Sequence, residues 1–189
     1  MSRRQIRQYQ RRERISLGAG DVIVCVDESG STESDDKDAW AKAITYALVD
    51  KVGGQGRCAS VIHFSSASEV SEDLFIPGQY TPEEVMNSAR HFYCGGTDYE
   101  APLRKAVSTM DSGVLSKADI VFITDGQCSI SSEFQDWLCS KLLEHHTSVT
   151  GVLLDSGNSF EFSLKGFCKK IYRTSELAPS EILSELVLT

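Results

Sequence analysis

An open, mostly parallel α/β sheet covered by helices on both faces is the fold this sequence predicts, and three observations predict it. Val22-Ile23-Val24-Cys25-Val26, Cys58 to Phe64 and Ile120-Val121-Phe122-Ile123-Thr124 are short, mostly apolar runs, the pattern of strands buried on both faces. Segments with helical spacing alternate with these runs along the chain. Two of the runs end in an aspartate, Asp27 and Asp125. In a doubly wound sheet, ligands bind beyond the carboxyl ends of the strands where the strand order reverses. Two such strands side by side would therefore bring both carboxylates to one crevice.

Taken in order, residues 1–20 form an Arg- and Gln-rich arm, read as a flexible extension or the tail of a helix, and residues 21–189 form the folded domain. After the first strand, polar residues 32–38 lead into a helix over 39–51 with apolar positions Trp40, Ala43, Ile44, Ala47 and Leu48. Gly53-Gly54-Gln55-Gly56 ends it. Cys58 to Phe64 is the second strand, and the mixed segment Ala67 to Ile76 reads as an edge strand closed by Pro77-Gly78. Thr81-Pro82-Glu83-Glu84 starts a helix that runs to about His91: a hydroxyl cap, a proline and first-turn acids. A helix from about Tyr99 to Met110, the strand Ile120–Thr124, and a helix from Ser131 to His146 follow. A strand over 148–154, a short helix near 160–167, a brief strand near 171–173 and a helix from Ser180 complete the chain.

With 189 residues the chain can bury one substantial core without staples. The formal net charge of −8 is uneven, since residues 1–14 carry six arginines against Glu13 while the remainder carries 13 basic and 26 acidic residues. The body is too acidic to bind nucleic acid by itself, which leaves the arm as the one candidate contact for nucleic acid or an acidic partner. Six cysteines, Cys25, Cys58, Cys94, Cys128, Cys139 and Cys168, show no zinc-ligand spacing and read as reduced, mostly buried thiols. No apolar run approaches the ~18 residues of a membrane span, and none follows Ser2-Arg3-Arg4, so a cytoplasmic location is expected.

The chemistry gathers on Asp27-Glu28-Ser29-Gly30-Ser31. One carboxylate and two hydroxyls on a short loop after a buried strand suit a hard divalent cation, Mg²⁺ before Zn²⁺. On this loop alone, capping of the following helix explains the same residues equally well. Asp125 adds a carboxylate, and Gly95-Gly96-Thr97 adds a hydroxyl on a loop whose glycines permit positive φ and close approach. Thr97-x-x-Glu100 also reads as a capping box. Asp27, Ser29, Ser31, Thr97 and Asp125 supply at most five of the six oxygens Mg²⁺ takes, leaving a position for a partner's carboxylate. Gly30, Gly95, Gly96, Asp98 and Gly126 are the positions expected to support these loops.

Asp27-x-Ser29-x-Ser31, Thr97 and Asp125 together resemble the metal-ion-dependent adhesion site (MIDAS) of von Willebrand factor A domains. The resemblance covers residues 21 to about 175. The wording around Val24–Ser31, His63-Phe64-Ser65 and Gly95-Gly96-Thr97-Asp98 looks most like the bacterial ViaA and CoxE-type branch. It implies a six-stranded sheet in the order 3-2-1-4-5-6, with strand 3 antiparallel at the edge. It also implies Mg²⁺, with Mn²⁺ or Ca²⁺ as alternatives, a non-enzymatic adaptor function, and a MoxR-type AAA+ ATPase as partner. The chain departs from that branch in lacking ViaA's long helical N-terminal region and in having Thr32 where methionine often stands.

Two rival functions are a metal-dependent phosphoester hydrolase and an adaptor tethered to nucleic acid through residues 1–14. The first lacks a clear general base: His63 reads as a lone, satisfied strand histidine, and His145 and His146 suit a helix C-terminus. Asp35, Asp36 and Asp38 read as capping and solvated acids, and Asp155 as a turn residue before Ser156-Gly157.

Overall fold

The computed structural model describes residues 20–115, 117–126, 128–155 and 162–186. The expected arm over residues 1–20 therefore lies, apart from Gly20, outside the described residues, as does Ser156-Gly157.

Six strands form one sheet: β1 (Asp21–Asp27), β2 (Ala59–Phe64), β3 (Val70–Phe75), β4 (Ala118–Thr124), β5 (Val149–Leu153) and β6 (Cys168–Arg173). Their order is β3-β2-β1-β4-β5-β6, parallel throughout except for the antiparallel pairing of β3 with β2 at the edge. The helices are α1 (Lys37–Gly54), α2 (Pro82–Arg90), α3 (Glu100–Asp111), α4 (Ser132–Glu144), α5 (Phe162–Lys165) and α6 (Pro179–Leu186).

Period-two alternation in β1 divides the core. Val22, Val24 and Val26 face the layer of α1 and α6, while Ile23 and Cys25 face the layer of α3, α4 and α5. β4 repeats the division, with Val121 and Ile123 on one side and Ile120 and Phe122 on the other. Both strands are apolar at nearly every position because neither face meets water. They are also the pair at which the strand order reverses, with Val26 registered against Ile123. Their carboxyl ends, Asp27 and Thr124-Asp125, therefore emerge together.

Local chemistry sets the flanking elements. Thr81 Oγ1 accepts from the Glu84 amide at 3.2 Å while Glu84 Oε2 accepts from the Thr81 amide at 2.6 Å, a complete capping box with Pro82 as the first helical residue. β3 starts later than the sequence pattern placed it. The Glu69 amide donates to the Ser66 carbonyl and the Ser65 amide to the Glu69 carbonyl, closing a tight turn before Val70. The buried stripe of α1 is Ala41, Ile44, Thr45, Leu48, Val49 and Val52. Only Ile44 and Leu48 of the expected apolar positions belong to it, and Ala43 is exposed. A stripe advanced by one residue meets the sheet, and Trp40 packs at its margin. The thiols also differ from expectation: Cys25 is buried, Cys94 and Cys139 are exposed, and the other three are half-buried. No described helix is long and apolar enough to cross a membrane.

Candidate metal centre

Asp27 closes β1 fully buried, and its carboxylate is held from two sides. Oδ1 accepts from the Ser29 amide at 2.9 Å, and Oδ2 accepts from the Thr124 hydroxyl at 2.5 Å. Thr124 belongs to the neighbouring strand end, so the β1/β4 pairing itself aims the carboxylate. The Tyr99 hydroxyl, 2.9 Å from Thr124 Oγ1, extends this chain of bonds into α3's layer. Burial, opposed by these hydrogen bonds and reinforced by Asp125, pushes the Asp27 carboxyl up to about 6. Two buried carboxylates facing one another favour a bound cation.

The loop after Asp27 turns at once into a single 3-10 turn, Gly30–Glu33. That turn brings Ser29 Oγ and Ser31 Oγ to 3.1 Å of one another. Thr32, fully buried, caps the turn internally by donating to the Ser29 carbonyl at 2.7 Å. The serines do not cap α1: Asp36 holds its N-cap position, in a left-handed conformation (φ 58°) and without a side-chain cap bond. Asp38 pairs with Lys42 at 3.1 Å. Capping of α1 therefore does not account for the two hydroxyls.

Lys37, in the first turn of α1, puts its ammonium 3.5 Å from Asp125 Oδ2 and 3.5 Å from the Ser31 carbonyl. Asp125 is 2 % exposed. A cationic group thus already bridges the β4 end and the serine loop.

The third loop is tied to the first through backbone. The Gly30 amide donates to the Gly95 carbonyl at 2.9 Å, the Cys94 amide to the Glu28 carbonyl at 2.9 Å, and Ser29 and Gly95 form a parallel bridge. Ser65 and Ser66 fasten it from β2's end. Ser65 Oγ accepts from the Gly95 amide at 3.0 Å and donates to the Gly96 carbonyl at 2.7 Å, and Ser66 Oγ accepts from the Gly96 amide at 3.0 Å. A Cβ on Gly95 would stand 2.1 Å from Glu69 Oε2 and 2.7 Å from Ser65 Oγ. Close approach, and not positive φ, is the reason for glycine there, since neither Gly95 nor Gly96 has positive φ and Cys94 takes that conformation instead (φ 59°). Gly126 does take positive φ (85°), and its amide donates to Thr124 Oγ1 at 3.2 Å. Gly30 needs no special conformation or room and contributes its amide.

Thr97 follows half-buried on this loop, without a hydrogen bond to Asp27, Ser29, Ser31 or Asp125. The expected Thr97-x-x-Glu100 capping box does not form. Asp98 Oδ1 accepts from the Ala101 amide at 2.7 Å, and Glu100 Oε1 accepts from the Ser131 amide and hydroxyl at 3.0 and 2.7 Å. Asp98 therefore supports the loop by capping α3, which leaves Thr97 outside the helix-start hydrogen bonds. Asp155, at the end of β5, is engaged by Arg173 and by the Ser175 amide, so it belongs to the β5–β6 edge.

One cluster was not visible in the sequence. Glu28, fully buried, takes a 2.7 Å contact from His63 Nδ1 at Oε1 and a 2.6 Å contact from His91 Nδ1 at Oε2. His63 Nε2 lies 3.0 Å from Ser88 Oγ and 3.2 Å from Asp73 Oδ2. His63 is satisfied and buried as expected, but it is not alone. Glu28 alternates to the opposite side of Asp27, so this cluster lies beside the serine crevice without sharing a side chain with it.

A family model described as von Willebrand factor type A domain matches residues 22–127. An uncharacterized protein of Methanocaldococcus jannaschii is 36% identical over 116 residues, which is 61% of this chain and 28% of that protein. A second uncharacterized protein of the same organism is 23% identical over 174 residues, 92% of this chain and 39% of its own length. The chain therefore spans well under half of either relative. Among solved structures, a von Willebrand factor type A protein from Catenulispora acidiphila aligns with TM-score 0.64 at 15% identity over 88% of this chain and 40% of that one. BatB from Bacteroides thetaiotaomicron aligns with TM-score 0.62 at 18% identity over 88% and 96%. The two structures share the fold, the family model takes in more than half of the residues, and on that match the chain belongs to the von Willebrand factor type A domain family.

Proposed function

We propose that this domain holds Mg²⁺ with Asp27, Ser29, Ser31, Thr97 and Asp125 and uses it to capture an acidic side chain of a partner protein. Domains of this family are generally protein-interaction modules. The observation that carries the reading is the Lys37 ammonium, which stands 3.5 Å from both Asp125 Oδ2 and the Ser31 carbonyl as a stand-in for a cation between the two loops. The donors are all oxygen, the chemistry of Mg²⁺, with Mn²⁺ or Ca²⁺ as substitutes. In this reading Asp27 and Asp125 supply the charge, the serine hydroxyls complete one side, and Thr97 is the donor from the loop bridged to Ser29 at Gly95. Five donors leave at least one position for an incoming carboxylate.

A non-enzymatic role fits the same geometry. His63 and His91 both direct Nδ1 to Glu28 and not to the Asp27–Asp125 side. The partner class we propose is a MoxR-type AAA+ ATPase acting in the cytoplasm, on the strength of the ViaA and CoxE-like wording of the loops. Isothermal titration of Mg²⁺ into the wild-type chain and Asp27→Asn tests the metal. Binding lost in the variant supports the reading, and equal binding by both removes it. Capture of an ATPase of that class in Mg²⁺ and its release by chelator tests the partner.

A further inference from the structure

We propose that Glu28, His63 and His91 form a second, separate metal site, selective for a borderline transition ion of the Zn²⁺ class. The inference does not rest on the Mg²⁺ reading, because none of the three residues belongs to that donor set.

The donors come from three places in the fold: the residue just after β1, the next-to-last residue of β2, and the residue that ends α2. One ring nitrogen of each histidine and one carboxylate oxygen lie within 4.8 Å of one another. Two imidazoles and one carboxylate are a donor set for Zn²⁺ and its neighbours and a poor one for Mg²⁺, which prefers oxygen throughout. Glu28 and His63 are fully buried, and His91 is 36% exposed, so the site is closed on one side and open on the other. That leaves an entry path and room for water as a further ligand.

The setting of the His63 ring supplies the second argument. An ionised Glu28 can only accept, so the contacts at 2.7 and 2.6 Å require a proton on Nδ1 of both histidines. Nε2 of His63 meanwhile faces the Asp73 carboxylate at 3.2 Å, which also only accepts. Nε2 also lies 3.0 Å from Ser88 Oγ, so Glu28, Asp73 and Ser88 together fix the plane of a fully buried ring. A metal on Nδ1 takes the place of the proton there and puts the ring proton on Nε2, where Asp73 or Ser88 can accept it. A ligand histidine whose other ring nitrogen is held by a carboxylate is the arrangement that orients imidazole on zinc. Tyr46 fixes Ser88 in turn by donating to its hydroxyl at 2.8 Å.

Loading asks little of the backbone. Tetrahedral ligands at Zn–N and Zn–O lengths of about 2.0–2.2 Å stand roughly 3.3 Å apart, so each Glu28 contact must widen by about 0.6 Å and the separation of up to 4.8 Å must close by about 1.5 Å. His91 can supply that movement, since its ring is half-exposed on a loop, while Lys42 anchors its carbonyl at 2.6 Å.

The test is a Zn²⁺ titration of the full chain in saturating Mg²⁺ against a chromogenic chelator, with Co²⁺ as spectroscopic probe. It is run in a Cys94→Ser, Cys139→Ser background so that exposed thiols do not contribute. One equivalent of tightly held Zn²⁺, with Co²⁺ d–d absorption lacking a thiolate band, is expected. His91→Ala should weaken binding at least tenfold and Asp73→Asn about tenfold, in the range found for altered ligand support. His91 is on the surface, and unchanged far-UV circular dichroism identifies variants that remain folded. Asp125→Asn should abolish Mg²⁺ binding and leave Zn²⁺ untouched, so the two readings fail separately. No stoichiometric Zn²⁺ in the Cys94→Ser, Cys139→Ser background, or equal affinity in His91→Ala, overturns the site.

Discussion

Lys37 and Gly95 are the residues at which the proposed Mg²⁺ site is most open to single-residue tests. The Lys37 ammonium competes with a metal for Asp125 and for the space beside Ser31. Lys37→Met should therefore raise Mg²⁺ affinity several-fold, on the order of 1 kcal/mol for a largely buried charge-assisted contact. Isothermal titration reads the change directly, and a weaker affinity in Lys37→Met would mean that the lysine positions Asp125 for the metal. Gly95→Ala acts by a different route. The new methyl would sit 2.7 Å from Ser65 Oγ and 2.1 Å from Glu69 Oε2. Glu69 can swing away, but Ser65 is buried and bonded on both sides, so the loop must shift at a cost of about 1–3 kcal/mol. The expected result is a lower Tm with a disproportionate loss of Mg²⁺ affinity, because Gly95 is the residue bridged to Ser29.

At the scale of elements, the ends of β1 and β4 were legible because each run is mostly apolar and stops at an aspartate. A strand buried on both faces has no alternative reading as loop, and the aspartate marks where it leaves the core. The Glu28–His63–His91 cluster was not legible, since its members come from three elements with no shared spacing and meet only when β1 pairs β2. Lys37 was invisible for the same reason: its contact with Asp125 spans 88 residues. Thr81-Pro82 was legible to the residue because a capping box is local, whereas Thr97-x-x-Glu100 carried the same local signal and lost Glu100 to Ser131, a tertiary partner. Asp155 is a further case where a long-range partner decides. Burial pulls its carboxyl upward, but hydrogen bonds from Ser175 and Arg173 outweigh it and hold the group below its ordinary value. A carboxyl with a lowered folded-state pKa contributes stability that is present above its unfolded value and is lost as pH falls through the folded one. Asp155→Asn should accordingly destabilise the β5–β6 edge by about 1.5–3 kcal/mol at pH 7, the range for hydrogen bonds to charged groups. Denaturant melts of both proteins should converge in acid, below the usual aspartate range. A gap that persists there would show that the asparagine disrupts packing.

For the whole molecule, the proposed site sets stability against function. Asp27 and Asp125 place two carboxylates at the junction of the two central strands, both almost without solvent. Residues 15–189 already carry a net charge of −13, so beyond the Lys37 ammonium the surrounding field does little to relieve them. A ligand that binds only the native state stabilises it by RT ln(1 + [L]/Kd), about 2.7 kcal/mol at a hundredfold excess over Kd. For a chain of this length each kcal/mol moves Tm by roughly 2–4 °C, so saturating Mg²⁺ should raise Tm by about 5–10 °C. Asp27→Asn keeps the acceptor for the Ser29 amide while removing one of the two buried charges. Its metal-free form should therefore melt above metal-free wild type, and Mg²⁺ should leave its Tm unchanged. Thermal scans of both proteins in chelator and in Mg²⁺ give the four values needed. The crossing pattern, with the variant ahead in chelator and the wild type ahead in Mg²⁺, is what a destabilising carboxylate pair kept for a cation produces. If the variant melts below wild type in chelator as well, the pair supports the fold without metal, and its hydrogen bonds to Ser29 and Thr124 are the reason it is there.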